Sequence, residues 1–258
     1  MNNVDRILRQ TLSDWSRWQV SLPGAPRRVR ELEGGLTNRS FLVESGAHLG
    51  VVRVNAGEDQ RLGIDRQREL AVLKLLQGSG FVPDVWFASR DVLVTEFVEG
   101  RHWQGEDLYR VGHREQVHQL IQRLQQVAMP SFARRFSYLD HCRGYLAQLA
   151  GFPEAEEVLA LAAGIDASDW QPVICHHDLV VENIIETERG LVLIDWEYAG
   201  WGHPAMDGVR LFGGDYPHRD AASLHELQKS MDRLWQAVQD RLDCGSGRQG
   251  DGGSCDSM

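Results

Sequence analysis

Apolar and polar positions alternate with different periods in the two parts of the chain. Near the start, Val4, Ile7, Leu8, Leu12 and Trp15 recur at helical spacing, which predicts an amphipathic helix ended by Pro23, Gly24 and Pro26. Residues 29–32, 40–44 and 49–54 read as strands separated by Gly34-Gly35 and Ser45-Gly46. A helix is expected over 65–76, with Asp65 near its start and Gly78 just past its end. Another strand over 92–97 closes at Glu99-Gly100. The expected product is a small lobe of antiparallel strands with one packed helix.

Beyond Gly100 the pattern becomes helical. Val117, Leu120, Ile121, Leu124 and Val127 form one stripe. Phe136, Leu139, Leu146 and Leu149 suggest a second, and Val158 with Leu161 a third. Leu224, Leu227, Met231, Leu234, Trp235, Val238 and Leu242 give a final helix. From Cys244 onward the sequence is rich in Gly, Ser and Asp, as in a disordered tail. The expected division is a first lobe over 1–100, a second over 101–242 and a tail over 243–258.

Composition narrows the possibilities. A chain of 258 residues, 42% apolar and 25% charged, can bury a core as one large domain or two lobes. Its 27 basic and 37 acidic residues leave a net charge of -10, which argues against a nucleic-acid or anionic-membrane surface and is compatible with a cationic ligand. Cys142, Cys175, Cys244 and Cys255 form no C-x-x-C pair, so reduced thiols are expected. The sequence has no signal-peptide core and no apolar run near the roughly 18 residues of a membrane span. A cytoplasmic location is expected.

The chemistry concentrates in His176-His177-Asp178-Leu179-Val180-Val181-Glu182-Asn183, followed by Leu193-Ile194-Asp195-Trp196-Glu197. By type and spacing this is H-x-D-L-x-x-x-N, then an apolar run ending in Asp, the form of a phosphotransferase catalytic loop and its metal-binding carboxylate. Asp178 stands where a base would accept the proton of an attacking hydroxyl. Asn183 and Asp195 offer the hard oxygen ligands that Mg²⁺ prefers. A competing reading gives His176, His177 and Asp178 to a transition metal. Adjacent residues of an extended chain point to opposite sides, which works against it. Gly34-Gly35-Leu36-Thr37-Asn38-Arg39-Ser40, between two expected strands, is a candidate phosphate cover, with Gly34, Gly35, Thr37 and Asn38 as donors. It matches neither the P-loop nor G-x-G-x-x-G.

These motifs resemble those of the aminoglycoside phosphotransferase and choline kinase superfamily. The wording Ile194-Asp195-Trp196-Glu197-Tyr198-Ala199-Gly200 is most similar to the choline kinase-like and bacterial thiamine kinase-like branches. The resemblance implies an α+β, bilobal, protein kinase-like fold and an ATP- and Mg²⁺-dependent kinase of a small hydroxyl compound. It implies that Arg53 neutralises phosphate charge, that Glu69 pairs with Arg53, with Asp65 and Glu58 as the other acids in reach, and that the backbone of Glu96 to Val98 reads adenine between the lobes. It also places Asp207 near the acceptor. Trp196, Glu197 and Tyr198 suit a cationic acceptor such as thiamine, choline or ethanolamine, through aromatic faces and a carboxylate. An aminoglycoside or amino-sugar kinase and an inactive nucleotide-binding module are the alternatives.

Overall fold

The computed structural model describes residues 2–32, 38–55, 57, 59–131 and 133–246. Gly34, Gly35 and Thr37 of the expected phosphate cover lie outside these residues.

The small lobe begins with α1 (Asn3–Ser13), capped by the Asn2 side chain, which accepts the Asp5 N–H at 2.8 Å. Strands β1 (Arg27–Leu32), β2 (Arg39–Ser45) and β3 (His48–Val54) form a meander. Next come α2 (Arg66–Leu76), β4 (Val85–Ala88) and β5 (Val92–Glu96). The antiparallel sheet runs β1-β2-β3-β5-β4. Leu8 of α1 joins Phe41, Val43, Val52, Val54 and Val94 in the apolar layer on one face. Asp65 caps α2 as its sequence suggests, accepting from Gln67 and Arg68 at 3.0 and 3.1 Å. Strand β4 was not expected: Val85-Trp86-Phe87-Ala88 is apolar on both faces, so the alternation that marks a half-buried strand is absent.

The chain leaves β5 through Phe97–Gly100 and forms β6 (Arg101–His102), which pairs with Ile185 and Glu186 of the second lobe. At Gly100 a Cβ would strike the carbonyl oxygen of Glu186, so only glycine permits this crossing. The larger lobe contains α3 (His113–Gln125), α4 (Tyr138–Leu146) and α5 (Ala155–Ala167). It then forms β7 (Val173–Cys175), the hairpin β8 (Ile184–Thr187) and β9 (Gly190–Leu193), and β10 (Gly200–Gly202). Helices α6 (Met206–Phe212) and α7 (Ala221–Ser246) complete it. Tyr138, Cys142, Val158, Ala162, Leu224, Leu227 and Leu234 form its main core. Helix α7 runs through Ser246, so residues 243–246, expected in the tail, are helical; 247–258 lie outside the described residues. Among the described residues no helix is long and apolar enough to cross a membrane.

Candidate active site

The expected catalytic loop is the turn that leaves β7. Strand β7 pairs with β10, and β8 with β9, so the segments carrying Asp178 and Asp195 both emerge from short paired strands. His177 adopts φ 65 and Asp195 φ 64, a region that non-glycine residues rarely occupy and that is sustained here by surrounding contacts. His176 is fully buried, and its Nε2 lies 2.8 Å from the Ile194 carbonyl, so it donates there and ties the loop to the segment carrying Asp195. His177 stacks on Phe136 at 4.3 Å and contacts the Tyr138 hydroxyl at 3.3 Å. Burial, then the Arg68 charge, push its imidazole well below the usual range, so it is neutral. A Cβ at position 202 would enter the His177 ring, which makes Gly202 part of the same packing.

His176, His177 and Asp178 therefore go three separate ways, and the fold does not assemble them into a metal site. Among the described residues, the His203, His218 and Asp220 side chains do cluster at ligand-like spacing. However, His203 Nδ1 accepts the Ala205 N–H at 3.1 Å, so its Nε2 carries the proton and donates to Asp220 at 3.2 Å. That cluster is a hydrogen-bonded pair securing the turn before α6.

Asp178, Asn183 and Asp195 come together in a cleft of about 1190 Å³ between the lobes. The Asn183 Nδ2 donates to the Asp178 carbonyl at 2.9 Å, which turns its Oδ1, the acceptor atom of the amide, the other way. Enclosure by the cleft walls and the neighbouring Glu197 carboxylate push Asp195 up to about 7, while Arg53 pulls the other way. An amide oxygen and a carboxylate in surplus negative charge form a donor set suited to Mg²⁺.

Above them, Arg53 of β3 donates to Glu69 of α2 at 2.7 Å and lies 4.0 Å from Asp195. Burial opposes ionisation of Glu69, but the Arg53 and Arg66 guanidiniums outweigh it and hold the carboxyl below the usual range. Arg66, which sequence reasoning overlooked, is the hub of this region. It contacts Glu69 at 3.0 Å, Glu197 at 3.1 Å, Asn38 at 2.9 Å and Asp59 at 2.6 Å. Leu32 and Val51 from the small lobe and Ile185 and Ile194 from the large one line an apolar slot beside Val98. Val98 N–H has no hydrogen-bond partner among the described residues. The Glu96 side chain is turned aside, accepting the Asp84 N–H at 3.1 Å.

Several expected roles change. Trp196 is 1% exposed, donates to the Leu193 carbonyl at 2.8 Å and packs on His176; it is core and offers no ring face to a ligand. Glu197 is buried and accepts from Asn38 at 2.8 Å as well as from Arg66, joining the lobes rather than facing the acceptor wall. The Asn38 side chain belongs to that same network. Asp207 is 2% exposed, with both oxygens holding backbone N–H groups of the catalytic loop. Tyr198 does face the cleft, where its hydroxyl accepts from Trp235 Nε1 at 2.8 Å.

The sequence reading missed most of the wall beyond Asp178. Phe136, His141 and Tyr145 form one side. Gln228, Met231, Asp232, Trp235 and Gln236 of α7 form the other. Their i, i+3, i+4, i+7, i+8 spacing is one face of a helix, offset from the core stripe of Leu224, Leu227 and Leu234. Met231 and Trp235 were counted into that stripe, which concealed the second face. Arg210 of α6 also enters the cleft and donates to Asp178 Oδ1 at 3.0 Å.

A two-lobed, protein kinase-like fold with a carboxylate–amide–carboxylate cleft defines the class of molecule. Residues 28–242 match the phosphotransferase enzyme family, to which the chain belongs. Among solved structures, choline kinase LicA from Streptococcus pneumoniae superposes with a TM-score of 0.72 at 20% identity, covering 94% of this chain and 92% of that one. The streptomycin-ATP-APH(2")-IIa ternary complex gives a TM-score of 0.60 at 17% identity, covering 95% and 92%. Ethanolamine kinase 2 of Mus musculus is 26% identical over 220 residues, 78% of this chain and 55% of that protein. The chain thus spans about half the length of this relative.

Proposed function

We propose that the protein transfers the terminal phosphoryl group of Mg²⁺-bound ATP to the hydroxyl of a small organic cation of the ethanolamine or choline type. The observation that carries this reading is the wall facing Asp178. Tyr198, Trp235 and Met231 supply aromatic and polarisable surface, and Asp232 adds a carboxylate. Such surfaces attract ammonium groups, by roughly 0.5–2 kcal/mol for each aromatic face. The similarity to ethanolamine kinase 2 and to choline kinase LicA supports the same substrate class.

The roles follow from position. The adenine ring would enter the slot lined by Leu32, Val51, Ile185 and Ile194, with Val98 N–H available to its edge. Arg53, oriented by Glu69, would lie along the phosphates. Asn183 Oδ1 and Asp195 would hold Mg²⁺, which when bound neutralises charge on the triphosphate. Asp178 would orient the acceptor hydroxyl in line with the terminal phosphorus and accept its proton. Positioning and charge stabilisation suffice for this transfer, without a covalent protein intermediate.

The test is phosphorylation of ethanolamine, choline, thiamine, an amino sugar, an aminoglycoside and a neutral sugar, assayed side by side with Mg·ATP. Transfer to the small organic cations is expected. Transfer only to aminoglycosides or amino sugars would move the assignment to that branch. Nucleotide binding without transfer to any of them would make the protein a binding module.

A further inference from the structure

We propose that Arg210 is a positioning residue for this transfer: it locks the Asp178 carboxylate in one orientation and links it to helix α7. The inference rests on the reading of Asp178 as the base. Its geometry begins on α6, where Asp207 and Arg210 stand three residues apart and therefore share a face. Asp207 grips the backbone of the catalytic loop through His176 and His177. One turn later, Arg210 grips the side chain that follows them, its Nη2 donating to Asp178 Oδ1 at 3.0 Å. The same short helix thus fixes both the backbone and the carboxylate of the loop.

The other arm of the guanidinium reaches across to α7. Arg210 Nη1 donates to Asp232 Oδ2 at 2.5 Å, so one planar fork bridges two carboxylates. Arg210 is mostly shielded, with 19% side-chain exposure, so water competes weakly for these bonds. With Oδ1 engaged, Asp178 Oδ2 has no hydrogen-bond partner among the described residues and is the oxygen left for an acceptor hydroxyl.

The bridge has a consequence for substrate coupling. Asp232 belongs to the α7 face that also carries Met231 and Trp235. The wall that would hold the acceptor's cation and the carboxylate that would receive its proton therefore share one rigid cation. A lysine at position 210 has a single ammonium point in place of the fork and cannot reproduce both arms in the same plane.

The experiment combines kinetics with crystal structures of the full-length wild type, Arg210→Met, Arg210→Lys and Asp232→Asn. Loss of the bridge misorients the base, so kcat for the accepted alcohol should fall about 10- to 100-fold in Arg210→Met. The KM for Mg·ATP should stay within about 2-fold, because Arg210 lies on the acceptor side. Arg210→Lys should recover part of the loss, and Asp232→Asn should show a smaller one. In the Arg210→Met crystal, the Asp178 carboxylate should leave its wild-type rotamer. An unmoved Asp178 in that crystal, or an unchanged kcat, overturns the proposal. If Arg210→Met does not fold, the Arg210→Lys and Asp232→Asn crystals and rates make the same decision. If the wild type phosphorylates none of the alcohols, the functional reading fails on its own, while the Asp178 rotamer still decides whether Arg210 positions it.

Discussion

The Asp207 carboxylate receives the backbone N–H groups of both His176 and His177, at 2.8 and 2.9 Å. Through this pair of bonds a buried acid on α6 shapes the turn from which Asp178 projects. Burial pushes the Asp207 carboxyl above the usual range, against the favourable pull of His176 and these two donors. Asp207→Asn keeps the shape but places an amide N–H₂ against one of the backbone donors. Stability should fall by about 1–3 kcal/mol in denaturant unfolding, the cost of a buried group left without its partner. Turnover should fall with it. A rise confined to the acceptor KM, with stability unchanged, would instead place Asp207 at the acceptor.

Glu69 orients Arg53 from a position that is 3% exposed, and it also holds Arg66. Glu69→Gln leaves two guanidiniums without their shared counter-charge. Removing one partner of a buried ion pair costs about 3–5 kcal/mol. The variant should melt at lower temperature, and calorimetric titration should show weakened Mg·ATP binding. Arg53→Met should weaken nucleotide binding with less effect on stability. Tight Mg·ATP binding by both variants would remove Arg53 from the phosphate site.

Tyr198 and Trp235 are joined by a 2.8 Å hydrogen bond on the cleft wall proposed to hold the acceptor. Replacing either with Leu keeps apolar bulk and removes a π face. The acceptor KM should rise by about 3- to 30-fold while the KM for ATP stays nearly constant. Trp196→Leu should behave in the opposite way, lowering the melting temperature through lost core packing with little change in acceptor KM. A large acceptor KM effect from Trp196 alone would return the cation site to that residue.

Much of the fold was legible because the decisive signals were local. The Asp65 cap, the Gly100 crossing and the helical stripes of α3 and α7 are written in neighbouring residues. So were Asp178, Asn183 and Asp195, whose spacing places them together through one hairpin. The Arg53–Glu69 pair was also anticipated, from the family resemblance that called for a cation on the strand and an acid on the following helix. The acceptor wall was not, because it depends on which face of α7 turns toward the cleft. A stripe of Gln228, Met231, Asp232, Trp235 and Gln236 reads as an ordinary helix border until α4 and α6 are packed against it. Trp196 misled for a related reason: adjacency to Asp195 says nothing about which way φ 64 sends the next side chain.

His141 lines the cleft beside Phe136 and Tyr145. Burial, with the Arg68 charge, pushes its imidazole down to about 4. The unfolded chain, with an ordinary value near 6.5, binds more protons than the folded chain between those two values. The contribution of His141 to stability should therefore be fully present above about pH 6.5 and decline as the pH falls toward about 4, while the raised Asp195 carboxyl works in the opposite direction. Urea midpoints measured from about pH 8 to pH 4 on the wild type and on His141→Phe isolate this contribution: the advantage of the wild type over the variant should shrink as the pH falls. A pH dependence that His141→Phe leaves unchanged would contradict a neutral, enclosed His141.

The central claim is that Asp178 is the base of a phosphoryl transfer to an alcohol. Its most direct test is turnover of Asp178→Asn with Mg·ATP and the best acceptor of the alcohol panel, with nucleotide affinity measured on the same preparation. Asparagine keeps the side-chain shape and a bond from Arg210 but cannot accept the hydroxyl proton. The account predicts a fall in kcat of about 10²- to 10⁴-fold, with Mg·ATP affinity and melting temperature close to wild type. A variant that transfers phosphate at nearly the wild-type rate would contradict it.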